Sequence, residues 1–231
     1  MGNIFITPQW FFGYDVLLEL SFAVITMLVS FYAWKIYKVS EERNLRLFSM
    51  AFLFISISYI VQSILNFVIL ERLDDDIAGI INLQSVYLLN LFGIYMHAIL
   101  FLIGLLILTY VALKIYSLRT FVLLSLLVFG SLYFSPYKTF MLFLISSILL
   151  GFIVYYYLTN YWNNRKATSF IVLIAMVLLF VGYIQFLFAT DNSIYYVIGH
   201  LLEFAAYILV LNNLLIILRV GKKKIKNGKK A

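Results

Sequence analysis

The chain reads as an all-α membrane protein, a bundle of seven transmembrane helices with its N-terminus outside and its C-terminus in the cytoplasm. Three observations carry that reading. The 231 residues are 65% hydrophobic and only 12% charged, with a mean hydropathy of +1.02, whereas a soluble domain is about a quarter charged. Apolar runs of about 20 residues, enough to cross a hydrocarbon core of about 30 Å, recur along the whole length. Finally, the basic residues alternate between the two sides of those runs. Together these exclude a soluble enzyme, a disordered chain and a disulfide scaffold. With no cysteine, thiolate chemistry and iron–sulfur clusters are excluded as well.

The expected spans are 11–34, 46–70, 84–113, 118–135, 137–158, 168–189 and 194–218. The fourth is the shortest and meets the fifth through Ser135-Pro136-Tyr137, a tight turn with a helix-starting proline. Residues 1–218 form one domain, and 219–231 a polybasic tail. Charge parity supports counting both the fourth and the fifth span. Lys35, Lys38, Arg43 and Arg46 lie between spans one and two, Lys114 and Arg119 after span three, Arg165 and Lys166 after span five, and Arg219 and six lysines after span seven. That puts 15 of the 17 basic residues on one side, leaving Arg72 and Lys138 on the other. The positive-inside rule makes the crowded side cytoplasmic, in a multi-pass protein of the plasma membrane. Glu71, Asp74, Asp75, Asp76 and Asp191 then fall outside. The first 14 residues carry no side-chain charge, so no cleaved signal peptide is expected. Trp10, Trp34 and Trp162 fall near the predicted interfaces, as an aromatic belt does.

The tail Lys222-Lys223-Lys224-Ile225-Lys226-Asn227-Gly228-Lys229-Lys230 is expected to anchor topology and touch anionic lipid headgroups, with a cytoplasmic signalling partner as the other reading. Nucleic acid is not an expected partner, since no aromatic interleaving accompanies the charge. No internal repeat is evident, which leaves an inverted-repeat transporter without support.

Ionisable residues inside spans are costly and mark function by default. Here they are Asp15 and Glu19 in span one, His97 in span three, and His200 and Glu203 in span seven. Asp15 and Glu19 are i,i+4 and share a face, and His200 and Glu203 are i,i+3, with Tyr207 one turn on. Gln62 and Asn66 in span two, Asn90 in span three and Gln185 in span six add polar groups at outer depths. The expectation is a polar pocket that opens outward and ends near His97, and it requires the first and last helices to be neighbours.

Three chemistries suit this set. Glu19, His97, His200 and Glu203 supply two imidazoles and two carboxylates, which fit a zinc-like divalent metal ion. His97 and His200 alone fit the axial positions of one b-type haem. A hydrogen-bonded network or proton relay needs no cofactor. No catalytic residue stands out: there is no His-Glu-x-x-His, nucleotide loop or nucleophile elbow. A retinal protein is excluded because the last span holds no lysine.

The stretch from Tyr14-Asp15 to Glu19, the basic loop, and the run from Leu47 through Tyr59 to Asn66 resemble helices one and two of archaeal seven-helix integral membrane proteins of unassigned role. Gly199-His200-Leu201-Leu202-Glu203-Phe204-Ala205-Ala206-Tyr207 resembles their last helix. It is also similar to the final helix of bacterial membrane-associated sensor (MASE-type) domains, which are fused to histidine kinases and cyclic-dinucleotide enzymes. The resemblance implies that Asp15, Glu19, His200, Glu203 and Tyr207 carry a ligand or signal site. Because the chain ends about a dozen residues after its last span, the implied function is a stand-alone membrane sensor that signals through a separate polypeptide. An intramembrane metalloprotein or redox subunit, and a small ion or proton transporter, are the other expectations.

Overall fold

The computed structural model describes residues 8–74, 83–114, 117–189 and 191–228. A 3-10 turn at Gln9–Phe11 leads into α1 (Phe12–Ser40), followed by α2 (Arg43–Asp74), α3 (Leu83–Ala112), α4 (Leu118–Phe134), α5 (Lys138–Asn164), α6 (Ala167–Phe188) and α7 (Ile194–Gly228). The described residues contain no strand. Six of these helices are long and apolar enough to cross a membrane, while α4 has 17 residues and is shorter. At a rise of 1.5 Å per residue α4 is about 25 Å long, close to the minimum for a crossing.

The packing makes a closed ring. α1 packs on α2, α2 on α3, α3 on α5, α5 on α6, α6 on α7, and α7 returns to α1. The first and last helices are therefore neighbours, as the pocket required. α4 stands outside the ring against α3 and α5. It buries only Val128 and Leu132, and it leaves Leu126 and Phe134 70% and 83% exposed, as a helix facing lipid on most sides does.

The α1–α2 hairpin follows from a serine ladder. Ser49, Ser56 and Ser63 lie seven residues apart on α2, and their partners Ser30, Ala23 and Val16 lie seven apart on α1. The Ser63 hydroxyl donates to the Val16 carbonyl at 3.3 Å, and Ser56 to the Ala23 carbonyl at 2.8 Å. Ser49 and Ser30 each donate to the other's carbonyl at 2.8 Å. A seven-residue repeat keeps two antiparallel helices in one seam, and small side chains let their backbones approach.

Two glycines do the same elsewhere. A Cβ at Gly104 of α3 would sit 2.8 Å from the Ala51 carbonyl oxygen of α2, and one at Gly182 of α6 would sit 3.1 Å from the Gly199 carbonyl of α7. The first crossing is close enough to need glycine, and the second would have to open by a few tenths of an ångström to admit a methyl.

The helix ends are ordinary. α1 and α5 stop at Glu41 and Arg165, both left-handed, whose N–H groups return to the Tyr37 and Tyr161 carbonyls at 2.8 Å. Between α4 and α5 the Lys138 ammonium donates to the Leu132 and Tyr133 carbonyls at 3.1 and 2.5 Å, which satisfies open acceptors at the end of α4. The Asn192 side chain accepts the Ile194 N–H at 3.0 Å and starts α7.

Candidate functional site: an intramembrane carboxylate–tyrosine–histidine cluster

The helical repeat of α7 places Tyr196, His200, Glu203 and Tyr207 in one stripe, and this stripe faces the ring interior. His200, Glu203 and Tyr207 are buried, as are Asp15 and Glu19 on the facing α1. The acids and His200 are thus withdrawn from solvent and lipid, where each needs partners.

Glu203 is the centre. Its Oε1 accepts the Tyr59 hydroxyl of α2 in a very short hydrogen bond, the Tyr207 hydroxyl at 3.1 Å, and the Tyr183 hydroxyl of α6 at 3.3 Å. Tyr59 and Tyr207 are also 3.1 Å apart, oxygen to oxygen. Each phenol has one proton to give, so one carboxylate oxygen ties three helices together.

His200 lies on the other side of that carboxylate, its Nδ1 3.7 Å from Glu203 Oε2. That is too long for a hydrogen bond. Among the described residues neither ring nitrogen of His200 has a hydrogen-bond partner. The ring is boxed by aromatics instead. It stacks on Phe22 at 5.7 Å, and it meets Tyr196 at 4.4 Å and Phe186 at 5.0 Å edge-on. Phe11, from the 3-10 turn, closes the box at 6.3 Å. The expected outward opening is covered here: Phe11 and Tyr196 pack on each other above His200, and the Tyr196 hydroxyl donates to Asp15 at 3.4 Å.

Glu19 forms a second centre. Both its oxygens accept the Asn66 amide at 2.9 Å, and Asn66 in turn accepts from Gln62 at 3.4 Å. Glu19 is within electrostatic reach of Asp15 and Glu203. The predicted i,i+4 pair of α1 thus divides its hydrogen bonds between α7, through Asp15, and α2, through Glu19.

The remaining predicted residues lie further out. His97 touches the cluster through Tyr59, ring to ring at 5.5 Å. Its Nδ1 is 3.2 Å from the Ser58 carbonyl, and its ring stacks on Phe101. It lies beside Tyr59, while Tyr207 stands one helical turn beyond Glu203 on α7. Gln185 is half-buried on α6, and among the described residues no hydrogen bond joins it to Glu203. Asn90 is on α3, but its side chain lies outside the described residues.

For a metal, Glu19, His97, His200 and Glu203 would have to converge, and among the described residues no group of three or more such side chains is placed to hold an ion. For a haem between His97 and His200, the intervening contacts run from His97 to Tyr59, to Phe22, to His200. Either group would need those side chains to move.

Sequence reasoning did not single out Tyr183 and Tyr196, and Tyr59 entered only through the resemblance. Eighteen tyrosines hide these three, and Tyr207 alone was expected at the site from its spacing. The one available signal was spacing, since Tyr196 is four residues before His200 and Tyr207 four after Glu203.

Fold and site define a multi-pass helical membrane protein with a polar cluster sealed inside its bundle. No family model matches the chain, and neither a curated protein nor a solved structure is significantly similar to it.

Proposed function

We propose that the chain is a seven-span, sensor-like protein of the plasma membrane, N-terminus outside, whose intramembrane cluster is the signal site and whose output is a separate cytoplasmic protein. One observation carries this reading: a single buried carboxylate, Glu203, links α2, α6 and α7, beside an imidazole with unused hydrogen-bonding capacity. A small polar ligand that engages His200 and Glu203 competes directly for the bonds that set the positions of three helices. The differential contact needed to shift a helix arrangement is then built into the site.

The shape of the cluster favours sensing over transport. Its acids and His200 all lie in the outer part of α1 and α7. Below Tyr207 α7 buries Val210, Asn213 and Leu214, so a single amide, separated from Tyr207 by Val210, follows the cluster on this helix, and Phe52 packs on Tyr207. The hydroxyls at that depth, Thr26, Ser30 and Ser49, donate to main-chain carbonyls. A transport path needs polar groups to the far side.

The test is helix displacement in a folded protein. Spin labels on single cysteines at the cytoplasmic ends of α2 and α7 report their separation in lipid discs. The sensor reading expects Glu203→Gln and Tyr59→Phe to change the distance distribution while the bundle stays folded. Unchanged distances with a lower melting temperature would leave the cluster a purely structural network. A divalent ion at His200 and Glu203 is the second reading, favoured by the open ring nitrogens. It requires stoichiometric metal in the purified protein and a melting temperature that falls with chelator.

A further inference from the structure

Two consecutive amides of α7 meet opposite surroundings. Asn213 is buried in the bundle, whereas Asn212 is exposed on its outside. Among the described residues the Asn212 side chain makes no hydrogen bond. It lies 18 residues after Ile194, where α7 starts, and seven before Arg219, the next charged residue. At 1.5 Å per residue Arg219 is about 10 Å further along the helix, too far for so short a side chain to follow. The amide therefore faces hydrocarbon, where acyl chains offer it no partner. The other exposed asparagines among the described residues lie elsewhere: Asn44, Asn163 and Asn164 at helix ends, and Asn192 between α6 and α7.

The helical register sets Asn212 in a seam. Ile198, Leu201, Ala205, Ile208, Asn212 and Leu215 follow one another by alternate steps of three and four, and all are exposed or half-buried. That is the spacing with which two helices wind around each other. His200, Glu203 and Tyr207 lie on the opposite face of the same helix. α7 packs on α1 and α6, and α4, which projects from the ring, stands on the α3–α5 side, clear of the seam.

We propose that this seam is the interface of a homodimer, in which the Asn212 amides of two copies hydrogen-bond to each other inside the membrane. Two copies inserted the same way round are related by a two-fold axis along the bilayer normal. Each seam residue then meets its own copy at equal depth, so a polar residue there must be complementary to itself. A carboxamide is: its N–H groups carry partial positive charge and its oxygen partial negative charge, and two of them exchange donor and acceptor reciprocally. Ala205, about two turns before Asn212, lets the backbones approach. A protein of different sequence would need its own polar group at that depth, while a second copy brings one by symmetry. One asparagine in such a seam also fixes register and strand number. The interface rests on Asn212 and not on what the intramembrane cluster binds. Its consequence is that two clusters stand back to back across one pair of helices.

The chain has no cysteine, so a single introduced cysteine can form a disulfide only with another copy. In membranes of expressing cells, oxidation of full-length Ala205→Cys should give covalent dimer, and oxidation of Leu126→Cys, on the exposed face of α4, should not. Energy transfer between copies labelled at Asn163→Cys measures association as the purified protein is diluted in phosphatidylcholine. Hydrogen bonds between polar side chains of neighbouring helices in lipid are worth about fivefold to thirtyfold in association. Asn212→Leu keeps the bulk and removes those bonds, so half-dimerisation should need at least about fivefold more protein per lipid. Asn212→Gln keeps an amide and should stay near wild type. A wild type that is monomeric at every dilution would overturn the proposal. So would equal association of wild type and Asn212→Leu, or as much covalent dimer from Leu126→Cys as from Ala205→Cys.

Discussion

Replacing Glu203 with leucine removes the shared acceptor of three tyrosines and fills the space with an apolar group of similar size. The Tyr59 and Tyr207 oxygens are 3.1 Å apart, so one of them then donates to the other. Two phenol protons remain without an acceptor: that of the second member of the pair, and that of Tyr183. A buried donor left unmade costs about 1–3 kcal/mol, which gives about 2–6 kcal/mol for the variant. Taking about 2–4 °C per kcal/mol for a chain of this length, the melting temperature should fall by at least about 4 °C. Glu203→Gln keeps a carbonyl acceptor and should lose less. The decisive measurement is the pair Glu203→Leu and Glu203→Leu/Tyr183→Phe, melted in the same detergent. If Tyr183 is orphaned in the leucine variant, removing its hydroxyl should restore stability or leave it unchanged, although Tyr183→Phe alone destabilises wild type. Additive losses in the double variant would mean that the Tyr183 hydroxyl does not depend on Glu203, and the three-helix junction would be refuted.

Gly104→Ala places a methyl against the Ala51 carbonyl oxygen, which cannot rotate away, and should destabilise by about 1–3 kcal/mol. Gly130 of α4 has nothing within 4 Å of an added Cβ, so Gly130→Ala should be neutral or stabilising by up to about 1 kcal/mol; a reversed order in thermal melts would contradict the packing of both helices. Single cysteines in 71–83 should react with an impermeant thiol reagent from outside the cell, and those in 35–46 only after permeabilisation. External labelling of 35–46 would reverse the orientation inferred from charge.

Much of the molecule is visible in one dimension. The apolar runs end within one residue of the helix ends at Ala112, Phe134 and Phe188, whereas α1 continues six residues past the expected end at 34, to Ser40. The proline turn at 135–137 separates α4 from α5 as expected. Asp15, Glu19, His200 and Glu203 stood out because an ionisable group in hydrocarbon is costly wherever it points, so its presence in a span is informative before any fold is known. Their grouping on two faces followed from a period of 3.6 residues. What the spacing did not reveal is who bonds to whom. The i,i+4 relation of Asp15 and Glu19 is compatible with a shared ligand, yet Asn66 takes Glu19 and Tyr196 approaches Asp15. His97 was counted with the cluster by depth alone, and its hydrogen bond goes to Ser58.

Sequence alone determined that the chain is helical, apolar over spans of membrane length, and asymmetric in charge, because each of these is a sum over residues that neighbours in space do not alter. Only the tertiary structure decided that α3 packs on α5 and leaves α4 outside the ring, and that Tyr59, Tyr183 and Tyr207 among eighteen tyrosines converge on Glu203. The reason is that lipid and protein interior are equally apolar. In water, an apolar stripe reveals which face of a helix is buried. In a membrane both faces are apolar, and the choice falls to shape and to the pairing of polar groups, as in the serine ladder and the Gly104 and Gly182 crossings. Those depend on which side chains meet, and that is settled only when the helices pack.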